Sequence, residues 1–294
     1  MSSAPTTDVT FEAERSRLVG GAYRITGSRA DADDIVQDAW LRWQAADRAG
    51  IDRPAAWLTT VVSRIALDRL KSAQHRRETY VGPWLPEAAN VESGVEQHAE
   101  MVESLTLGFL AVLERLNPVE RVVFLLADVF GVPFDEIAGV VDKSPAACRQ
   151  VASRARRRVH DERPRFEPTD DEAWAVTLAF LDAATRGDMA SLMELLAPEV
   201  VAVSDGGPDH HAARRPVVGV EKVARFVSNL TRRGLELGVE VEARLVNGQP
   251  GVVVFDDGVL FDALVCSVVD GRVDRIWTLV NPEKTATIDT PPVV

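Results

Sequence analysis

Cysteine is scarce in this 294-residue chain: Cys148 and Cys266 are the only two, and they fall in separate predicted units. They read as small core side chains in a reducing compartment, not as a disulfide or a metal site. No apolar run approaches the roughly 20 residues needed to span a bilayer, and the Ser/Thr-rich N-terminus lacks a basic-then-apolar leader. A soluble, cytoplasmic protein without membrane contact is expected. Internal repeats and low-complexity tracts are absent as well. Positive charge is in the minority, 33 Lys and Arg against 45 Asp and Glu, for a net charge of −12. What is present is globular in composition, 46% hydrophobic and 27% charged, with a length that suggests about two domains, or three small ones.

The acidic total does not exclude nucleic acid, because it is unevenly spread. From Pro168 onward there are 20 acidic and 11 basic residues, a balance of −9, whereas residues 1–167 hold 25 and 22, a balance of −3. Basic residues cluster at Arg64–Arg77 and Arg149–Arg158, and the local field, not the sum, governs approach to phosphates. The second cluster lies in a helix-turn-helix pattern over Val132–Arg163. Phe134, Ile137, Ala138 and Val141 share one helical face. Ser144 then caps, and Pro145 opens, a second helix. Its Cys148, Val151, Ala155 and Val159 form a buried stripe, and Ala146, Arg149, Gln150, Ser153 and Arg157 an exposed one. Such a helix can enter the major groove, with Arg and Gln reading base edges and Arg154, Arg156 and Arg158 beside phosphates. A solvated surface helix with a dipole-compensated C-terminus is the plainer reading of the same residues.

Along the chain the first unit reads as all-helical. One helix stops near Gly27. A second is capped by Asp31 with Ile35, Val36, Ala39, Trp40 and Trp43 inside, and a third opens at Pro54 with Leu58, Val61, Val62 and Ile65 inside. Residues 82–95 read as a linker without a core, with Trp84 exposed in type. Helices follow over Met101–Leu116 and Val119–Phe130, then the helix-turn-helix. The last unit reads as two helices (Asp170–Thr185, Met189–Leu196), a strand at Val200–Val203, a helix at Glu221–Thr231 and strands at Val239–Val246, Gly251–Phe255, Val259–Val269 and Arg272–Val280. Asn-Gly, Asp-Gly and Asp-Gly separate the strands and signal hairpins. Helices before a meander predict an α+β cone.

Laid side by side, these units resemble the extracytoplasmic-function sigma factors of bacterial RNA polymerase, in particular a sigma-J-like subgroup with a SnoaL-like (NTF2-like) extension. The resemblance rests on A-Y-R-I-T-G-S-R-A-D-A-D-D-I-V-Q-D-A-W-L-R-W at 22–43 and P-A-A-W-L-T-T-V-V-S-R-I-A-L-D-R-L-K-S-A at 54–73. It rests also on P-W-L-P-E at 83–87, Asp205-Gly206-Gly207 and N-P-E-K at 281–284. Pro208 departs from the glycine the subgroup carries there. The resemblance implies a multidomain fold: two all-α sigma domains, a three-to-four-helix region two and a helix-turn-helix region four, followed by an α+β SnoaL/NTF2-like cone. The implied bounds are 8–82 for region two, 83–96 for the linker, 97–165 for region four and 170–285 for the extension.

The same resemblance implies partners and roles. The partners are core RNA polymerase, through its beta and beta-prime subunits, and promoter DNA, with an anti-sigma partner left open. Asp33, Asp34, Gln37 and Asp38 then face the polymerase, although on spacing alone they are also a solvated, dipole-favoured turn. Arg53, Trp57, Thr60 and Arg64 lie where the family reads the −10 element, and the basic tail Arg69, Lys71, Arg76 and Arg77 either contacts phosphates or solvates a helix end; Trp57 reads equally well as core. Ser144, Arg149, Gln150, Ser153, Arg154 and Arg157 fall to the −35 element. Trp84, Leu85, Pro86, Glu87, Asp205, Gly206, Gly207, Asn281, Pro282, Glu283 and Lys284 form an interdomain regulatory set.

For the extension, acid–base chemistry would draw on Asp205, Asp209, His210, His211 or Asp262, but two adjacent histidines without a third ligand make no metal site. No cofactor and no catalytic role are expected. The favoured reading is a regulatory extension packed on region two and the linker. A ligand-sensing operator-binding regulator, which does not need the 22–73 block, and an isomerase fused to a DNA-binding module, which turnover of a polyketide-like substrate would support, are the competing readings.

Overall fold

The computed structural model describes residues 9–78, 80–89, 106–162, 170–208, 210–286 and 288. Helix α1 (Val9–Thr26) buries Leu18, Ala22, Tyr23 and Ile25 and ends at Gly27, whose φ of 71° only glycine adopts freely. Helix α2 (Arg29–Ala45) starts earlier than its sequence suggests. The extended backbone of Ser28 puts its hydroxyl 3.1 Å from the Asp31 N–H, so Ser28 is the cap and Asp31 lies inside the first turn. Helix α3 (Pro54–Glu78) begins on proline, which gives up no useful N–H there.

Helix α4 (Leu107–Leu113) is capped by Thr106, and α5 (Pro118–Phe124) by a reciprocal Asn117–Glu120 box. A π-helical turn over Leu125–Val129 continues α5, and Phe130 beyond it packs over Gly21. Helix α6 (Phe134–Val141), a three-residue turn with Asp142 left-handed at φ 54°, and α7 (Pro145–Glu162) complete the helix-turn-helix. The two helical units do not stand apart. Leu58 and Val62 of α3, Leu113 of α4, Val122 of α5, Ile137 of α6 and Val151 of α7 belong to one continuous apolar cluster.

In the extension, α8 (Asp170–Arg186) and α9 (Met189–Leu195) precede β1 (Leu196–Asp205), β2 (Val217–Val218), α10 (Val220–Leu237), β3 (Glu240–Val246), β4 (Gln249–Asp256), β5 (Val259–Val269), β6 (Arg272–Leu279) and a short α11 (Pro282–Thr285). The sheet order is β2-β1-β6-β5-β4-β3, with β1–β6 the parallel pair and the other neighbours antiparallel. The three hairpin turns are Asn247-Gly248, Asp257-Gly258 and Asp270-Gly271, and all six residues have positive φ, the conformation a type I′ turn requires. Strand β2 is too short to leave a periodic trace. Helix α10 outruns its expected end because Gly238, not an earlier residue, supplies the left-handed stop.

Alternation along the strands gives the sheet two apolar faces. Val200, Ala202, Leu264, Cys266 and Ile276 lie under α8 and α10. Val253, Ala263, Val265, Trp277 and Leu279 form the other face, and it is covered by Leu85 and Ala88 of the linker and Leu107 of α4. The linker is therefore not coreless: Leu85, Ala88 and Ala89 are buried. Leu85 and Ala88 pack on a sheet face more than a hundred residues away in sequence, which no local pattern announces, and Ala89 joins the helical cluster.

Candidate functional site

The outer face of α7 presents Arg149, Gln150, Ser153, Arg154 and Arg157 to solvent, while Cys148, Val151, Ala155 and Val159 are buried as the spacing predicts. Ser144 accepts from the Ala147 N–H at 3.2 Å, fixing the first turn of α7. The Arg149 guanidinium lies 5.7 Å from the centre of the Phe134 ring, so the two helices of the motif are stapled at the exposed end. Two of the arginines expected beside phosphates are instead engaged within the fold, Arg156 with Asp128 and Arg158 with Glu120, both at 2.8 Å.

On α3 the outcome differs. Trp57 is half-buried, its ring 5.5 Å from that of Trp43 at the edge of the core. Arg64 donates to the Gly139 carbonyl of α6 through Nη2 at 2.6 Å and Nε at 3.2 Å, and Arg53 pairs with Glu136 of α6 at 2.7 Å. Thr60 folds back on the Ala56 carbonyl of its own helix. The side chains of Arg76 and Arg77 lie outside the described residues. At the far end of this seam Arg121, 2% exposed, donates to the Ile25 carbonyl at the end of α1 and pairs with Glu114 at 2.8 Å. A cation here satisfies an orphan carbonyl at the negative pole of α1.

On α2, Asp34, Gln37 and Asp38 point outward along one face, and Asp33 is drawn aside by Arg29 at 2.9 Å. One turn on, Leu41 is 56% exposed, an apolar side chain on an otherwise acidic face. Its i+7 spacing from Asp34 was legible in the sequence, but only its exposure distinguishes it from a core leucine.

The interdomain set converges most strongly. Asp205, at the end of β1, accepts from the Tyr80 hydroxyl (2.5 Å), the Leu85 N–H (2.8 Å), the Gly207 N–H (3.1 Å) and the Lys284 ammonium (2.5 Å). Lys284 donates also to the Leu85 carbonyl at 2.6 Å, with its nitrogen 3.5 Å from the centre of the Trp84 ring and 4.9 Å from that of Tyr80. Asn281 caps α11 and donates to the Tyr80 hydroxyl. A Cβ at Gly207, where φ is +63°, would fall 2.9 Å from the Asn281 amide, so only glycine closes this turn. Pro282 and Glu283 have exposed side chains, and Glu283 joins the network only through its N–H, which donates to Asn281 Oδ1 at 3.1 Å.

Beyond it, the Ala88 N–H donates to the Lys284 carbonyl, and Ala89 exchanges hydrogen bonds with Asn247. The fully buried Asn247 donates to the Tyr23 hydroxyl at 2.8 Å, and Tyr23 donates to the Glu87 carbonyl at 2.6 Å. The Glu87 carboxylate accepts from the Arg29 N–H at 2.6 Å, against the positive pole of α2. Burial raises its carboxyl above the usual range, and bonds from Ser28 and backbone N–H groups oppose that rise. The linker is thus sewn to α2 on one side and to the extension on the other. Tyr23, Tyr80 and Asn247 escaped the sequence reading, although a signal existed: Tyr23 and Tyr80 are the only tyrosines in the chain.

Of the acid–base candidates in the extension, Asp205 is committed to Lys284, His210 and His211 are exposed, and Asp209 lies outside the described residues. Asp262 is buried with one carboxylate oxygen unpartnered, and burial pushes its carboxyl up to about 8. Among the described residues no cluster of His, Cys, Asp and Glu suits a metal, and no helix is long and apolar enough to cross a membrane.

Residues 10–76 match the Sigma-70 region 2 family, residues 107–159 the Sigma-70 region 4 family and residues 177–276 the SnoaL-like domain. The chain is 42% identical over 288 residues to the ECF RNA polymerase sigma factor SigJ of Mycobacterium tuberculosis, covering 93% of this chain and 91% of that one. It is 34% identical to the probable ECF RNA polymerase sigma factor SigI of the same species, over 96% of both chains. The crystal structure of Mycobacterium tuberculosis SigJ superposes with a TM-score of 0.77 at 38% identity, over 96% of this chain and 99% of that one. Two sigma-type helical units, a linker sewn between them and a SnoaL-like cone thus occur together in one likeness that spans nearly the whole sequence, and the chain belongs to the extracytoplasmic-function RNA polymerase sigma factors.

Proposed function

We propose that this sigma factor binds core RNA polymerase and directs it to a defined promoter set, without catalysis of its own, and that its extension tunes that activity through the linker. The observation that carries the reading is the solvent-facing row Arg149, Gln150, Ser153, Arg154 and Arg157 on the second helix of the helix-turn-helix, the residue types that read base edges and phosphates. In this reading α7 takes the −35 element and α3 the −10 element. Asp34, Gln37, Asp38 and the exposed Leu41 of α2 meet the polymerase, the leucine as apolar anchor and the acids as register.

The contacts of α3 give this reading a conformational consequence. Arg53 and Arg64, the side chains assigned to the −10 element, are held by Glu136 and the Gly139 carbonyl of α6. Engaging DNA with them requires α6 to move off α3, so the arrangement described is a closed one that opens on polymerase or promoter. The linker contacts of Asp205 and Lys284 set how far the two units separate.

The test is promoter-directed RNA synthesis by core polymerase with and without the added chain on a genomic template library. New start sites that depend on the chain are expected. Failure of the chain to co-elute with core polymerase, or start sites that do not change, overturns the reading.

A further inference from the structure

The sheet ends on β3, which pairs with β4 on one side and, among the described residues, with no strand on the other. Its hairpin decides which backbone groups face outward. Val246 and Gln249 flank the two-residue turn Asn247-Gly248 and form a hydrogen-bonded pair, and such pairs alternate with non-bonded ones along an antiparallel ladder. Glu242 and Arg244 therefore spend their N–H and C=O groups on β4, whereas those of Val241, Ala243 and Leu245 point to the open edge. The side chains alternate as well. Val241 and Leu245, 57% and 42% exposed, share the helix-covered side with Val252, whereas Glu240, Glu242 and Arg244 share the linker side with Val253.

Charges along an open edge keep other strands away. On β3 they also select. A two-fold antiparallel pairing of β3 with the same strand of a second copy sets outward backbone groups against outward ones when it is centred on a residue. Centred on Val241, it sets Glu240 against Glu242 of the second copy. Centred on Glu242 or on Arg244, it sets that residue against its own like charge. Of these central positions, 241 to 244, only Ala243 sets each Glu242 against Arg244 of the second copy with no like charges directly opposite. Opposite charges across a non-bonded pair attract and like ones repel. Within one strand Glu242 and Arg244 already pair at 2.8 Å, so the two copies together carry four charges of alternating sign. The same register lays Val241 against Leu245, covering two exposed apolar side chains. The linker meets the hairpin end of β3, through Ala89 with Asn247 and the Gly108 N–H with Gln249. Two-fold symmetry sends the linker of the second copy to the opposite end of the paired strands, so neither blocks the other.

We propose that the β3 edge is an interaction surface for a second copy of this chain, joined in a two-fold dimer centred on Ala243. The two six-stranded sheets then run on as one, and the same patch serves both copies, as a closed two-fold interface requires. Under the promoter reading above, the dimer carries two DNA-facing units on one body; the pairing itself does not depend on that reading.

The experiment follows association of the full chain by sedimentation over a range of concentrations, and a monomer–dimer equilibrium is expected. Arg244→Glu and Glu242→Arg each set like charges opposite one another at both pairs and weaken the dimer about tenfold or more. Mixing the two variants restores it, because two arginines of one chain then face two glutamates of the other. The double exchange E242R/R244E within one chain restores it as well. Ala243→Pro removes an outward N–H that β4 does not use, as an edge strand tolerates, and abolishes association. Hydrogen exchange at the Val241, Ala243 and Leu245 amides slows as concentration rises. A chain that stays monomeric at every concentration overturns the proposal. So does a dimer that charge reversal leaves unchanged or that either rescue fails to restore, since it then forms elsewhere. Protection of the three amides that is independent of concentration means that another segment of the same chain holds the edge, and overturns it too. No readout uses polymerase or DNA, so the outcome stands apart from the promoter test.

Discussion

The molecule has two seams, and they are built on opposite terms. Where α3 meets α6, the polar contacts are made by Arg53 and Arg64 at the surface, with Arg53 70% exposed at its side chain. Where the linker meets the extension, Asp205 and Lys284 have side chains 0% and 4% exposed. Exposed pairs contribute about 0–1 kcal/mol, whereas removing one partner of a buried pair costs about 3–5 kcal/mol. The residues differ in their duties as well. Those of the first seam are the ones assigned to DNA, so ligand and seam compete for them. In the proposed reading those of the second hold the linker and make no contact with the promoter. One seam is arranged to be exchanged and the other to persist.

The largest effect that would break this contrast lies at the second seam. Lys284→Met leaves the Asp205 carboxylate buried and unpaired and is expected to destabilise the chain by about 3–5 kcal/mol in urea unfolding. The double replacement with Asp205→Leu recovers only part of that loss, because no buried charge remains but the Tyr80 hydroxyl and the Leu85 and Gly207 N–H groups lose their acceptor. Equal stability of K284M and the parent would erase the distinction between the seams.

Asp262 supplies an effect remote from both seams. Burial raises its carboxyl to about 8, so it stays protonated in the folded chain where the unfolded chain has ionised. Its contribution is fully present below the ordinary carboxylate range and is lost as pH rises through 8, with a slope of up to about 1.4 kcal/mol per pH unit. Asp262→Asn removes that slope, so its advantage over the parent in thermal unfolding grows from pH 5 to pH 8. An advantage independent of pH would refute the assignment.

At Gly108 a Cβ would lie 2.8 Å from the Trp277 ring, which lets α4 close on the outer sheet face. Gly108→Leu overpacks that contact, with a cost of about 1–3 kcal/mol, and protease cleavage between α3 and α4 should accelerate. The smallest stability change belongs to the exchangeable seam. Glu136→Ala alters unfolding by less than about 1 kcal/mol yet frees Arg53, so binding of a single-stranded −10 oligonucleotide should tighten. Binding left unchanged would mean that α6 does not compete for α3.

Local structure was open to a sequence reading wherever one residue type dictates the backbone. Asn247-Gly248, Asp257-Gly258 and Asp270-Gly271 announced three hairpins, and Ser144-Pro145 announced α7, because positive φ and helix starts admit few residues. The cap of α2 was misread since Ser28 and Asp31 are both competent acceptors and only the backbone angle chooses between them. The interdomain set was named through family likeness, but its bonding was not. Tyr23 meets Asn247 across 224 residues, and a buried hydroxyl–amide pair leaves no periodicity to detect. The closed seam was invisible for a related reason: a carbonyl such as that of Gly139 carries no side-chain signature.

Lys284 closes on Leu85 across 199 positions of chain. At about 5–20 residues per second of synthesis, the ribosome needs roughly 10–40 s to travel between them. For the later part of that interval, once α7 is complete at Glu162, the newborn chain carries both helical units and their tether, while the lysine that fastens the tether has not yet been made. Every molecule therefore passes through an unfastened youth, and polymerase that meets the chain during translation encounters a different protein from the finished one.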